Sequence, residues 1–291
     1  MSDAESVVRL VQVSDTHLSA ERAYFHDNWE VFVGLMRDDP PDLIVNSGDL
    51  SFDGAAGDAD LAFARGEHDR LPVPWLAVPG NHDIGESPLA VRLDQPIDEV
   101  RIQRWRRLVG PQWWRHDIGH WRLIGIDTAL LGSGRTEERE QADFLADALA
   151  TRDGRPVLLF QHMPPFLTHA ADPAVTALAV PHAVRHTLLE TCAGGGVAAI
   201  ACGHVHIHRT SEHSGVPIVW APATSFFNII EQQKAGRGVP RPGFIEWTLT
   251  GRQIRWRVVE PAMMITHDIG LWNTAHGSTI KMPPRPLRRR P

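Results

Sequence analysis

Two cysteines in 291 residues, Cys192 and Cys202, provide no disulfide framework. Neither belongs to a CxxC, so a zinc ribbon and a redox motif are both excluded, and each reads as a small buried hydrophobe in a reducing compartment. Long apolar runs are also missing. No stretch approaches the roughly 18 residues of a membrane-spanning helix. The opening "MSDAESVVRL" lacks the basic region and apolar stretch of a secretory signal, which makes a cytoplasmic location the expectation. Positive charge is also in the minority, with 29 Lys and Arg against 35 Asp and Glu. The formal net charge is −6, without the basic face that wrapping nucleic acid needs, so no nucleic-acid partner is expected. The one basic run, "RPLRRR" near the C-terminus, reads as a solvated tail.

The chain is rich in short β-branched or apolar runs that break into polar clusters. "VVRLVQVSDTH" breaks into Ser14–His17, "DLIVNSGD" ends at Asp49, and "VPWLAVPGNHD" ends at Asp83. "PVLLFQHMPP" reaches His162 and "VAAIACGHVH" reaches His206. Such runs read as buried strands. Helical patterns lie between them: "NWEVFVGLMRDD", "DADLAFARGEHDRL" and "EEREQADFLADALATRDG". In the last, Phe144, Leu145, Ala148 and Leu149 share one face, and Gly154 suits a helix C-terminus. Alternating strands and helices predict an α/β fold with largely parallel strands, whose ligands collect beyond the carboxyl ends of the strands. Asp15, His17, Asp49, Asn81, His82, His162, His204 and His206 therefore fall on one rim.

No linker rich in Pro, Gly or Ser divides the chain. Residues 1–262 read as one domain and 263–291 as a C-terminal extension with the basic tail. Within the domain, 86–121 carries "VRIQRWRRLVGPQWWRHDIGHW", read as a helix and loop inserted over the rim. It is either a packed surface helix or a substrate cap. "GFIEWTLTGRQIRWRVVEP" reads as an antiparallel hairpin around Thr250-Gly251.

"IACGHVHIHR" places His204, His206 and His208 at every second position. If extended, the segment points all three imidazoles the same way. By itself it reads equally as a polar strand edge or as a metal site. The rim adds carboxylate oxygens from Asp15 and Asp49, the Asn81 amide oxygen, and the imidazoles of His17 and His162. With His204 and His206 these make seven ligands, too many for one tetrahedral zinc. They suit two metals sharing a carboxylate, and mixed oxygen and nitrogen ligation fits Mn, Fe, Zn or Co better than Mg or Ca.

In this order, "DTH", "GD", "GNHD", the His of "FQHMPP" and "GHVH" resemble the five signature motifs of the calcineurin-like metallophosphoesterase superfamily. The pattern closely resembles the bacterial class III cyclic-nucleotide phosphodiesterases and their glycerophosphodiesterase relatives. The resemblance implies a four-layer αββα sandwich of two mixed sheets flanked by helices. It assigns Asp15, His17 and His206 to a first metal, Asn81, His162 and His204 to a second, and Asp49 to both. It places His82 beside the leaving group, to protonate it or to stabilise the transition state after attack by a metal-bridging hydroxide; general acid is the role expected here. His208 lies beyond the motif and has no role. Homo-oligomerisation is also implied, since such relatives are often dimers or larger.

The chain departs from that pattern at Phe52, where an acidic partner for the catalytic histidine often sits; Asp53 is the candidate substitute. No arginine lies in the motifs, whereas bidentate arginine is the usual holder of a phosphomonoester dianion. A small phosphodiester, either a cyclic nucleotide or a glycerophosphodiester, is the expected substrate. An arginine swinging in from position 22 or from 101–107 would favour the alternative, a phosphomonoesterase of a small metabolite. A non-catalytic scaffold on the same fold is disfavoured by the complete ligand set.

Overall fold

The structure, a computed structural model, describes residues 7–89, 95–174, 176–228, 240–270 and 282–288. In chain order these contain β1 (Val7–Val13), α1 (His26–Asp38), β2 (Leu43–Asn46), α2 (Asp58–His68), β3 (Trp75–Ala77), the single turn α3 (Asn81–Ile84) and α4 (Glu99–Leu108). There follow β4 (Trp114–Ile118), β5 (Trp121–Gly125), α5 (Thr136–Ala150), β6 (Val157–Phe160), α6 (His182–Gly194), β7 (Val197–Cys202), β8 (Arg209–His213) and β9 (Val216–Trp220). The last strands are β10 (Phe226–Phe227), β11 (Phe244–Thr250), β12 (Gln253–Val259) and β13 (His267–Asp268).

Two mixed sheets result, ordered β12-β11-β1-β2-β3 and β4-β5-β6-β7-β9-β8. The strands β1, β2 and β3 run parallel, as do β5, β6, β7 and β9, while the outer pairings are antiparallel. Side chains alternate across each strand, and both faces of the central strands are buried. Leu10, Val45, Leu158, Phe160 and Ala201 point into a core between the sheets, together with Trp121 and Trp247. Val11, Val13 and Ile44 point the other way, against α1. That helix offers Trp29, Phe32, Val33 and Met36, the spacing of one helical face. On the outer face of the second sheet, Leu159, Ile200 and Cys202 pack against Leu145, Ala148 and Leu149 of α5 and Leu188 and Cys192 of α6. This is the expected αββα sandwich.

The C-terminal hairpin closes through Gly251 and Arg252, with Thr250 opposite Gln253. Helix α5 stops at Ala150 with Thr151 as its C-cap, so Gly154 (φ 74°) belongs to the following turn and not to the cap.

Two tryptophans of 86–121, Trp105 and Trp114, pack into the body of the protein. Trp105 is fully buried on α4, which lies against α2. Trp114 begins β4, enters the inter-sheet core and donates its Nε1–H to the Ala77 carbonyl at 2.7 Å. The segment read as helix and loop thus includes an edge strand. Part of it, 90–94, lies outside the described residues.

The C-terminal extension is also part of the packed body where it is described. β13 pairs in parallel with β10. Residues 282–288 run beside 20–24, with hydrogen bonds from Arg285 N to Glu21 O (2.7 Å) and from Ala23 N to Arg285 O (3.0 Å). Met282 completes a small cluster with Phe25, Phe52, Phe226 and Ile269. Arg285 is exposed, as a solvated tail requires, but its backbone is bound. Arg289 and Arg290 lie outside the described residues.

Candidate metal centre

The parallel strands β1, β2, β3, β6 and β7 all deliver a polar loop at the carboxyl end. The two sheets bring these loops together across a buried amide. Gln12 Nε2 donates to Ser47 Oγ (2.9 Å) and to the Cys202 carbonyl (3.2 Å), while its Oε1 accepts from Trp247 Nε1 (3.2 Å). One fully partnered side chain thus ties β1 to the loop before Asp49 and to the end of β7.

The loops place two groups of ligand atoms side by side. Asp15, His17, Asp49 and His206 have one ligand atom each within 4.8 Å of one another, and so do Asp49, His162 and His204. Asp49 belongs to both: its Oδ2 lies 3.5 Å from His17 Nε2 and 3.3 Å from His162 Nε2. Asn81 joins the second group, its Oδ1 3.2 Å from His162 Nε2. His206 Nε2 lies 3.2 Å from Asp15 Oδ1 and 3.3 Å from His17 Nε2. The structure therefore brings all seven expected ligand residues together, with His82 beside them.

The three histidines of "GHVHIH" are not on a strand. β7 stops at Cys202, and His204 and His206 adopt φ of 70° and 65°. His208 turns away and bonds the Trp220 carbonyl through Nδ1 at 2.9 Å. Asp15 (53°), His17 (44°) and Asp49 (54°) also have positive φ. For L-residues this conformation costs roughly 1–2 kcal/mol apiece. It is concentrated on the metal-site loops, as strain at functional sites commonly is. Two glycines permit the close approach. A Cβ at Gly80 would collide with the Asp49 carboxylate, and one at Gly203 with Ser14 Oγ and Asp15 Oδ2.

Main-chain carbonyls fix the ring orientations. His162 Nδ1 meets Ser47 O at 2.9 Å, His206 Nδ1 meets Phe226 O at 2.6 Å, and His204 Nε2 meets Ala177 O at 2.7 Å. A carbonyl only accepts, so each of these nitrogens carries hydrogen. The opposite nitrogens, His162 Nε2, His206 Nε2 and His204 Nδ1, are left to face the cluster, the arrangement that metal-ligating histidines adopt.

Electrostatics favour a cation. Burial opposes ionisation of Asp15, but His206 outweighs it and holds the carboxyl at about 2. Asp49 behaves alike, with burial overcome by His162 and His82, and stays well below the usual carboxylate range. His17 is driven well below its ordinary value by burial and by His82; burial and His162 bring His204 to about 4. Burial also opposes charge on His162, yet Asp49 lifts it to about 9, so a proton there offsets the carboxylates. The buried Asp15 Oδ1 and His17 Nδ1 have no hydrogen-bond partner among the described residues. Two ionised carboxylates, four imidazoles and the Asn81 amide oxygen are a donor set that fits divalent cations.

His82 stands on α3. Its backbone N–H donates to Asp49 Oδ1 (2.8 Å), its Nδ1 bonds the Phe52 carbonyl (2.7 Å), and its ring meets His17 edge-on at 4.5 Å. The proposed substitute partner, Asp53, instead accepts from Gln95 Nε2 at 3.0 Å. A main-chain oxygen, not a carboxylate, orients this histidine. Sequence reasoning also left Asp83 without a role, although it completes "GNHD". Asp83 is fully buried and accepts from Leu50 N (3.0 Å), Ser51 N (2.9 Å), Ser51 Oγ (2.6 Å) and Gly80 N (3.0 Å), clamping the Asp49 loop to the Asn81 loop. Burial and the nearby Asp49 push it up to about 6 against those four donors.

A cavity lies beside the second group, lined by Asn81, His162 and His204 together with Glu86, Ser87, Thr128 and Ala177.

The fold and this loop constellation define a metallophosphoesterase. The calcineurin-like phosphoesterase family model matches residues 8–208. The chain belongs to that family and is a metal-dependent phosphoric ester hydrolase. It is 29% identical over 233 residues to the 3′,5′-cyclic adenosine monophosphate phosphodiesterase CpdA of Escherichia coli strain K12, covering 76% of this chain and 77% of that one. It is 25% identical over 236 residues to the probable glycerophosphodiester phosphodiesterase GpdQ of Arcobacter nitrofigilis, covering 74% and 78%. Among solved structures, purple acid phosphatase PPD1 of yellow lupin superposes with a TM-score of 0.64 at 17% identity, over 91% of this chain and 53% of that chain. A dimetal phosphatase from Danio rerio gives 0.56 at 16% identity, over 86% and 95%. These two likenesses show the fold. Among the described residues no helix is long and apolar enough to cross a membrane.

Proposed function

We propose that the protein hydrolyses a small phosphodiester, either a cyclic nucleotide or a glycerophosphodiester, at a centre of two metal ions. The observation that carries this reading is Asp49, whose one carboxylate oxygen approaches both His17 and His162. Asp15, His17 and His206 would hold the first ion with Asp49, and Asn81, His162 and His204 the second. Mixed carboxylate, amide and imidazole donors favour Mn, Fe, Zn or Co. Such a pair, when bound, polarises a phosphoryl group and lowers the pKa of water.

The chain's own residues orient and protonate. His82 is fixed through Nδ1–H on the Phe52 carbonyl, which leaves Nε2 as its working nitrogen. A proton held there passes to the departing alkoxide, which is a poor leaving group without it. Arginine availability supports a diester over a monoester. Arg22 donates Nε–H to the Met282 carbonyl (3.3 Å) and lies over the Phe52 ring. Arg101 bonds Asp98 and the Ala55 carbonyl, Arg104 and Arg107 bond Asp58, and Arg106 covers Trp113. The arginines that would have favoured a dianion are engaged elsewhere. The two relatives named above, a cyclic-nucleotide and a glycerol diesterase, support the same substrate class.

The test is one panel on chelator-stripped protein resupplied with Mn, Fe, Zn or Mg. Bis-p-nitrophenyl phosphate, cyclic AMP or glycerophosphocholine should turn over faster than p-nitrophenyl phosphate. Faster turnover of the monoester would overturn the diester reading.

A further inference from the structure

Arg185 lies on α6, away from the rim, and is 2% exposed. A buried guanidinium normally meets a carboxylate, because an unpaired buried charge is costly. Among the described residues every hydrogen-bond partner of Arg185 is a main-chain oxygen. Nη1 donates to Ala170 O (3.1 Å) and Asp172 O (2.8 Å); Nε and Nη2 both donate to Val180 O (3.2 and 3.0 Å). The Asp172 carboxylate is turned elsewhere, to Thr168 Oγ1 (2.6 Å) and Ala174 N (3.0 Å). All four bonds go to the connection between His162 and α6. The same connection is closed at its base by Val180 N on Pro164 O (2.9 Å) and held near its start by Arg209 Nη1 on Leu167 O (2.9 Å).

Among the described residues of that connection, Ala177 carries the hydrogen bond to the metal centre. The Ala177 carbonyl takes the Nε2–H of His204 at 2.7 Å, and Ala177 lines the cavity beside Asn81 and His162. His204 Nδ1, 3.0 Å from His162 Nε2, is thereby aimed at the second group of ligands. On the loop side the contact is a main-chain carbonyl, so the path of the loop decides where it sits.

We propose that Arg185 is a positioning residue for the second metal: it sets the path of the loop from which the Ala177 carbonyl orients His204. This rests on the assignment of His204 to the second ion. The first ion's ligands, Asp15, His17 and His206, are oriented from other elements, with Ser14 Oγ on Asp15 and the Phe226 carbonyl on His206. The effect of losing Arg185 is therefore selective. Loss of a group that orients a metal-ligating histidine weakens the metal by about 10–100-fold.

The experiment is Mn²⁺ titration by calorimetry of chelator-stripped protein, for the parent, Arg185→Met and His204→Ala, with folding followed by circular dichroism. The parent binds two ions. In Arg185→Met the second ion weakens by roughly 10–100-fold and the first is unchanged. His204→Ala loses the second ion. Parent-like binding of both ions in Arg185→Met, or equal weakening of both, overturns the proposal. Retention of both ions in His204→Ala overturns the underlying ligand assignment instead. If Arg185→Met does not fold, Arg185→Lys decides: it keeps the charge but not the fork of donors, and an unweakened second ion there overturns the proposal as well.

Discussion

His82 Nδ1 lies 2.7 Å from the main-chain oxygen of Phe52. Because that oxygen can only accept, the ring's mobile proton is confined to Nε2. His82→Ala should therefore keep the metals and lose rate according to the leaving group. On cyclic AMP or a glycerol diester the loss should be about 10²–10⁴-fold, the usual value of a general acid. On bis-p-nitrophenyl phosphate, whose phenolate departs without a proton, it should be smaller. Rates on both substrates beside metal analysis test this. An equal loss on both with metals intact would make His82 a stabiliser of phosphoryl charge, and loss of metal would make it a ligand.

Trp114 should matter for stability and not for selectivity. Its ring lies in the inter-sheet core against Gly125, where a Cβ would strike it, and its Nε1–H is held by Ala77 O. Trp114→Ala should cost about 3–5 kcal/mol in denaturant unfolding, the range for large aromatic truncations. Relative rates on the substrate panel should be unchanged in the folded protein. Altered selectivity at unchanged stability would favour the cap reading of 86–121.

Acid stability should depend on His68. This fully buried ring donates Nδ1–H to Ala64 O (2.8 Å) and accepts from Asn46 Nδ2 (2.9 Å), while Asn46 Oδ1 holds Gly48 N (2.9 Å) next to Asp49. Burial lowers its pKa from 6.5 to about 4. The unfolded chain takes up this proton near 6.5 and the folded protein only near 4. The unfolded state thus binds more protons in that window, and stability falls as pH drops through it. The loss is at most about 3 kcal/mol on acidification to pH 4. His68→Gln should be less stable at pH 7 and lose less on acidification. Parallel stability–pH curves for parent and variant would contradict this.

Much of the site was legible because buried parallel strands announce themselves as apolar runs, and each run here ends on its ligand. Asp15, Asp49, Asn81, His162 and His204 all follow a strand by a few residues. Less was legible where exposure broke the pattern. β4 carries exposed Arg115, His116 and Asp117, and β8 alternates half-buried and exposed residues through Thr210 and Glu212, so neither edge strand reads as an apolar run. The regular spacing of His204, His206 and His208 suggested a strand, but left-handed backbone at the first two sends the third elsewhere. The groups that aim the histidines were invisible for a simpler reason. The carbonyls of Ser47, Phe52, Ala177 and Phe226 belong to the main chain, which every residue has, and only the fold selects them.

The account turns on Asp49 serving two ions at once, and the direct measurement is metal content. Chelator-stripped protein reloaded with Mn²⁺ and desalted should hold close to two ions per chain by elemental analysis, since six residues form two groups that share one carboxylate and Asn81 joins the second. Asp49→Ala should lose both ions, whereas His208→Ala, whose ring bonds the Trp220 carbonyl, should hold as many as the parent. A fully active parent with one ion or none, or an Asp49→Ala variant that still holds two, would contradict the shared-carboxylate centre.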